Sequence, residues 1–433
     1  MTSPLITAFS GAITDDTGLR ALRAPPEKAD RQWRIHQTRR AVLYGDAAAG
    51  HTPAVESWIT RSWQRSLANG HRPDHLPTFD CIGAAALRRT LQANDQLIAV
   101  ARPILSKLAR AIEGTRYFAI LTNADGVVVD SAGVIDRSDA RADLITRIGT
   151  DLSEHQMATT AIGAALAELQ PIWMHQGEHF FEATASYSCA GAPLFGPDGQ
   201  CIGMLDVTGI DVAERPELKH LVAQSARSIE NALTLTRLRN PKSLLIRLNW
   251  PGRLLGDDSD ALVCLDADGL ITGANQIARQ LLPQLTSPLG LAGALQHCGD
   301  VFAVSPDLLF DAARANAAGR ARPLDVPLWT GLHLQAAALL ASQAPPAAGF
   351  YLDAASLAPA VANPPSRPTT IPTTIPSSIP STISSVSDRP LKEIEAALIR
   401  QAVDDARGNV MQAARALGIS RATVYRRLGK GRR

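Results

Sequence analysis

A chain of 433 residues with 45% hydrophobic and 19% charged side chains exceeds what one ordinary core holds and implies roughly two to four folded domains. A net charge of +2 at pH 7 excludes a polycation, while the lack of any apolar run of about 18 residues, and of a basic region in MTSPLITAFSGAITDD, speaks against membrane insertion or export and predicts a cytoplasmic protein. The five cysteines, Cys81, Cys189, Cys201, Cys264 and Cys298, are scattered without a CxxC pair, so reduced thiols are expected rather than a disulfide framework or a metal site.

Residues 1–112 read as a helical region. Val55, Trp58, Ile59 and Trp63 recur at helical spacing, and so do Leu97, Ala101, Ile104, Leu105, Leu108 and Ile112, a second helix that Pro103 kinks or starts. Residues 113–240 switch to mixed α and β. YFAILTNADGVVVDSAG predicts two strands joined by a tight Asn-Ala-Asp-Gly turn. Ser153 and Gln156 form a capping box that predicts a helix through Ala161, Ile162, Ala165, Leu166 and Leu169. Strands PIWMH, SYSCAGAPLF and CIGMLDVTG follow, the last two separated by Gly196-Pro197-Asp198-Gly199, and an amphipathic helix from about Pro216 to Arg239 closes an α+β domain.

Residues 254–357 form a third block. It opens with ALVCLDADGLITGANQIARQLL, again a hairpin with Asp-Gly in its turn and then a helix. Residues 358–389 are a linker, because Pro368, Pro372, Pro376 and Pro380 block helix and ladder while Ser and Thr keep the backbone solvated.

Residues 390–433 predict an all-α helix-turn-helix. Leu391, Ile394, Leu398, Ala402 and Val403 stripe a first helix that Gly408 ends; Asn409 caps a second, the turn Leu417-Gly418-Ile419 follows, and Ser420 caps a third. Val424 and Leu428 face the core, which leaves Ser420, Arg421, Thr423, Tyr425, Arg426 and Arg427 to meet base edges and phosphates of double-stranded DNA. From Arg407 onward the chain carries eight Arg or Lys and no Asp or Glu, the charge distribution a duplex attracts.

GNVMQAARALGISRATVYRRL resembles the Fis-type helix-turn-helix, whose members dimerise and insert paired recognition helices into adjacent major grooves. Together with ESWITRSWQRSLANGHRP and the stretch from Tyr117 to Asn231, it resembles the acetoin-catabolism family of bacterial enhancer-binding activators. That resemblance implies a GAF sensor domain over residues 113–240, from TNADGVVVDSAG, TAIGAALAELQPIWMHQGEHF and GMLDVTG, and a degenerate PAS-like domain in the third block. Two departures stand out. No GxxxxGK[ST] loop exists in the sequence, so the central AAA+ ATPase of the family is missing, and Ala158-Thr159-Thr160 stands where the family has Gly-Thr-Asn.

The expectation is therefore a multidomain, homodimeric, ligand-responsive regulator of transcription: an α+β GAF sensor, a PAS-like α+β domain and an all-α Fis-type tail, with no enzymatic activity, cofactor or membrane partner. Thr159, Thr160, His175, His179, Phe180, Tyr187 and Cys189 are the candidate residues for a small-molecule effector pocket. RNA polymerase, or a full-length ATPase-bearing relative that this chain modulates, is a further candidate partner. The enzymatic alternative is a GAF-fold thiol redox enzyme using Cys189 and Cys201.

Overall fold

A computed structural model describes residues 26–45, 55–238, 240–286, 296–318 and 323–344, all within one compact unit, residues 1–359; residues 360–433 form a separate unit outside the described residues. The chain opens with α1 (Pro26–Leu43) and α2 (Ser57–Ala68), then α3 (Ala84–Ala93) and α4 (Asp95–Ala111). Pro103 lies inside α4 without ending it, because Leu97, Ala101, Ile104, Leu105 and Leu108 bury one continuous face that outweighs the lost hydrogen bond.

The first hairpin is β1 (Tyr117–Asn123) and β2 (Val128–Ala132). Its turn closes through Asn123, whose side-chain oxygen accepts from the backbone N–H groups of Asp125 and Val127. Gly126 has φ +83°, and a Cβ there would lie 2.9 Å from the Ser153 backbone, so both conformation and space require glycine. Next come α5 (Ala140–Ile145), the single turn α6 (Glu154–Met157) and α7 (Ala161–Glu168). The Ser153 capping box predicts one helix through Leu169, but the structure makes two. Ser153 caps α6, Ala158 then takes φ +51° and ψ −145°, and Thr160 caps α7 by accepting from the Gly163 N–H.

Strands β3 (Ile172–His175), β4 (Tyr187–Phe195) and β5 (Cys201–Ile210) complete an antiparallel sheet of order β2-β1-β5-β4-β3, and α8 (Leu218–Leu235) covers its outer face with α4. The first helices form no body of their own. Trp58, Ile59 and Trp63 of α2 share a core with Ile120, Met157, Met174 and Phe180, each large buried side chain contributing about 1.5–3 kcal/mol.

A second antiparallel sheet has order β8-β7-β6-β10-β9, from β6 (Leu244–Asn249), β7 (Ala261–Leu265), β8 (Ile271–Ala274), β9 (Leu324–Pro327) and β10 (His333–Leu340), with helices α9 (Gln276–Leu281) and α10 (Pro306–Ala317). Both sheets place a hairpin on each side of a central strand. In the first that strand comes last in the chain, in the second it comes first. The hairpin signal starts the third block at Leu254, whereas its sheet begins ten residues earlier, at Leu244. Leu245, Leu262 and Cys264 pack against Leu235 of α8, so one helix backs both sheets.

Candidate functional site

Strand alternation decides which candidate residues can meet. On β4 and β5, Tyr187, Cys189, Met204 and Ile210 share a core with α2, α6 and α7, while Ala190, Ala192, Leu205 and Val207 face α4 and α8. A cavity of about 40 Å³ lies on the former side, lined by Phe79, Ile120, Ile145, Leu152, Met157, Thr160, Ala161, Ile162, His179, Thr184, Tyr187, Cys189, Asp206 and Thr208. Its walls are almost wholly apolar, and it has room for an occupant of only a few heavy atoms.

Four candidate residues therefore line it: Thr160, His179, Tyr187 and Cys189. Three do not. His175 is at the end of β3 on the opposite face to Met174, where its ring stacks on Trp173 at 6.2 Å and its Nδ1 pairs with Ser188 Oγ. Thr159 Oγ1 lies 2.8 Å from Ser62 Oγ and 3.0 Å from Ser66 Oγ, joining α2 to the α6–α7 break. Phe180 packs edge-on against Phe181 at 5.3 Å. The DNA-binding candidates Ser420, Arg421, Thr423, Tyr425, Arg426 and Arg427 lie outside the described residues.

Three polar groups of the wall, Thr184, Asp206 and Thr208, were not among the candidates. Asp206 and Thr208 sit on β5 opposite Gly191 and Cys189 of β4. A carboxylate in the middle of the apolar run CIGMLDVTGI was the available signal. Asp206 is fully buried; its Oδ2 accepts from the Thr208 hydroxyl, but its Oδ1 has no partner. Burial pushes its pKa up to about 7, against the opposing pull of that hydrogen bond. Tyr187 is 5% exposed and its hydroxyl, also unpartnered, is pushed up by burial. A Cβ on Gly191 would lie 1.9 Å from Met204 Cε, so glycine there makes room for the Met204 side chain beside Asp206.

His179 is held at the cavity by its backbone and by its ring. Its Nδ1 lies 2.9 Å from the Gln176 carbonyl, which fixes the N–H on that nitrogen and leaves Nε2 as an acceptor, 3.5 Å from Cys189 Sγ. Burial pulls its pKa down to about 4 and pushes the Cys189 thiol well up, so both are neutral at pH 7. Thr208 Oγ1 is the second neighbour of that sulfur, at 3.2 Å. Outside the cavity, α1 grips the same loop: Arg39 donates to the carbonyls of Gly177, His179 and Phe180, and Trp63 of α2 donates to that of Glu178. Among the described residues no cluster of three or more His, Cys, Asp or Glu is arranged to hold a metal ion, and no helix is long and apolar enough to cross a membrane.

Residues 35–231, which contain the whole first sheet, match the family described as the MimR N-terminal domain, and residues 390–431 match the bacterial regulatory protein, Fis family. The chain carries a MimR N-terminal domain and a Fis-type helix-turn-helix. Relatives include the acetoin catabolism regulatory protein of Cupriavidus necator, 30% identical over 60% of this chain and 38% of that protein. The propane 2-monooxygenase operon transcriptional activator MimR of Mycolicibacterium smegmatis is 26% identical over 48% of this chain and 36% of that one. The chain thus spans well under half the length of these relatives. Among solved structures, the E. coli DhaR(N)-DhaL complex is similar at a TM-score of 0.39 and 12% identity, over 64% of this chain and 92% of that one. The cavity lies within the MimR N-terminal domain, and the second sheet lies beyond it.

Proposed function

We propose that this protein is a cytoplasmic, ligand-responsive and sequence-specific transcriptional regulator of the acetoin-regulator type that works as a homodimer and without its own ATPase. The observation that carries this reading is a single chain joining a buried, apolar-walled cavity with two unpartnered polar atoms to a Fis-type DNA-binding segment. Such a cavity suits a small effector, and an isolated pair of orphaned oxygens costs stability until something bonds them. The five-stranded antiparallel sheets with their helices support the GAF reading of residues 113–240 and the PAS-like reading of the third block. Ser420, Arg421, Thr423, Tyr425, Arg426 and Arg427 then read or hold the duplex, while occupancy of the cavity shifts the population of binding-competent dimers.

The test is a footprint and affinity titration of the full chain on its own upstream region, with and without small alcohols, ketones and aldehydes that raise its melting midpoint. A protected palindromic site whose occupancy changes with ligand is expected, with affinity falling steeply as salt rises. Arg421→Ala should weaken specific binding by about 1–3 kcal/mol if that side chain grips a base. Binding indifferent to sequence contradicts the reading.

A second reading has the chain heterodimerise with an ATPase-bearing relative and modulate it. It is favoured by the missing GxxxxGK[ST] loop. Co-purification with such a relative, in place of a homodimer, would select it. The thiol redox alternative finds no support at Cys189 or Cys201, both of which burial holds as neutral thiols rather than reactive thiolates.

A further inference from the structure

We propose that Cys189 captures a small aliphatic aldehyde in the cavity as a reversible hemithioacetal. The inference rests on the reading of this cavity as a ligand site, and it assigns the chemistry by which a ligand is held. Cys189 and His179 are the one thiol and the one imidazole in the wall, with Sγ 3.5 Å from Nε2. The Gln176 carbonyl at 2.9 Å from Nδ1 leaves Nε2 as an acceptor, so the thiol proton has a defined destination. An independent observation points to what the occupant presents. Asp206 Oδ1 and Tyr187 Oη line the same cavity, are buried, and have no hydrogen-bond partner.

The addition balances without a co-reactant. Sulfur attacks the carbonyl carbon and forms the C–S bond, while the C=O π pair moves to oxygen. The proton passes from sulfur through His179 Nε2 to that oxygen as the C–S bond forms, so no free thiolate arises and the imidazole ends neutral. Nothing is oxidised or reduced. Reactant and adduct are both uncharged, which a wholly buried site tolerates where an ion pair would be costly. The new hydroxyl can donate to Asp206 Oδ1 or accept from the Tyr187 hydroxyl, so it gives an orphaned atom of the wall a partner. Tyr187 also supplies a donor as negative charge develops on the oxygen. The narrow apolar wall favours an aldehyde over a ketone, whose second carbon substituent crowds the tetrahedral adduct.

Carbon NMR of the full chain with propanal labelled at its carbonyl carbon tests this, in a Cys81→Ser background that removes the exposed thiol. A protein-bound sp³ carbon resonance, distinct from free aldehyde and its hydrate and saturating at a single site per chain, is expected; it should be lost in Cys189→Ala and Cys189→Ser and kept in Cys264→Ala. Should the Cys189 variants not fold, the unsubstituted thiol gives the second readout. Propanal at about ten times its apparent Kd should slow labelling of Cys189 by methyl methanethiolsulfonate about tenfold, with Cys201 labelled at its original rate. Absence of the bound resonance, or its survival without Cys189, overturns the capture. If propan-1-ol still raises the melting midpoint while propanal gives no C–S signal, capture fails and the ligand cavity stands; if neither compound moves the midpoint, both fail.

Discussion

Ala158 occupies a backbone conformation, φ +51° and ψ −145°, that glycine adopts freely and an L side chain adopts under strain. The family resemblance implies glycine there, so the departure has a structural cost. Ala158→Gly should raise stability by about 1 kcal/mol, relief of strain on the order of 2 kcal/mol less about 0.8 for the buried methyl, read as a higher melting midpoint. A lower midpoint contradicts the strain. Asp206 argues at the same scale. Its carboxyl, held up to about 7, keeps in the fold a proton that the unfolded chain releases near the ordinary value of about 4. The folded state binds more protons between these values, so this group's contribution falls as pH rises from about 4 to about 7. Denaturant unfolding of Asp206→Asn at pH 5 and 8 should show a shallower loss and a gain on the order of a few kcal/mol at pH 8. Glu178 and Glu230, pushed up to about 7 and about 8 by burial, act in the same direction, so the slope is reduced rather than abolished.

Elements differ in how openly their residues announce them. The β1–β2 hairpin was legible because Asn123 to Gly126 permits little but a tight turn, and α2 because its two tryptophans fall on one helical face. Strand β6, LLIRLN, was not. An apolar run between a helix and Trp-Pro-Gly is a strand only because β7 and β10 flank it, a pairing made across the chain. HLQAAALL is helix-prone in isolation, yet forms β10 between β6 and β9 for the same reason. The site was half legible on similar grounds. The order of residues placed Tyr187, Cys189 and His179 near one another, but only the strand face separates His175 from Met174, and only burial marks Asp206. The grip of α1 on the 176–180 loop is another property of the fold rather than of local sequence. Arg39→Ala removes three bonds to carbonyls behind His179 and should cost about 2–3 kcal/mol, with faster amide hydrogen exchange over residues 176–184. Unchanged exchange there would show that the loop holds itself.

At the scale of the molecule, the two sheets share α8 and a set of polar bonds. Asn275 Nδ2 donates to Asn231 Oδ1 of α8 at 2.7 Å and to the Asp260 carbonyl at 2.9 Å, while its Oδ1 accepts from the N–H groups of Leu262 and Ala278. The β4–β5 turn reaches the second sheet through Pro197, whose carbonyl accepts from the Ala274 N–H and from Arg279. Asn275→Ala should therefore destabilise both sheets together, by about 2–4 kcal/mol for the buried groups left unpaired, read as one shared transition at a lower midpoint. Separate transitions would show that the sheets unfold independently. This continuity links a cavity on β4 and β5 to the second sheet, from which the chain runs on toward the segment that matches the Fis family. The central claim, that cavity and duplex are coupled, is tested most directly by one comparison: the Kd of the full chain for its own upstream duplex at fixed salt, with and without a compound that raises the melting midpoint of the unsubstituted protein and fails to do so for Asp206→Asn. The account predicts a change of about five- to 150-fold, the range of a coupling of about 1–3 kcal/mol, on that duplex alone. The same Kd in both states would contradict it.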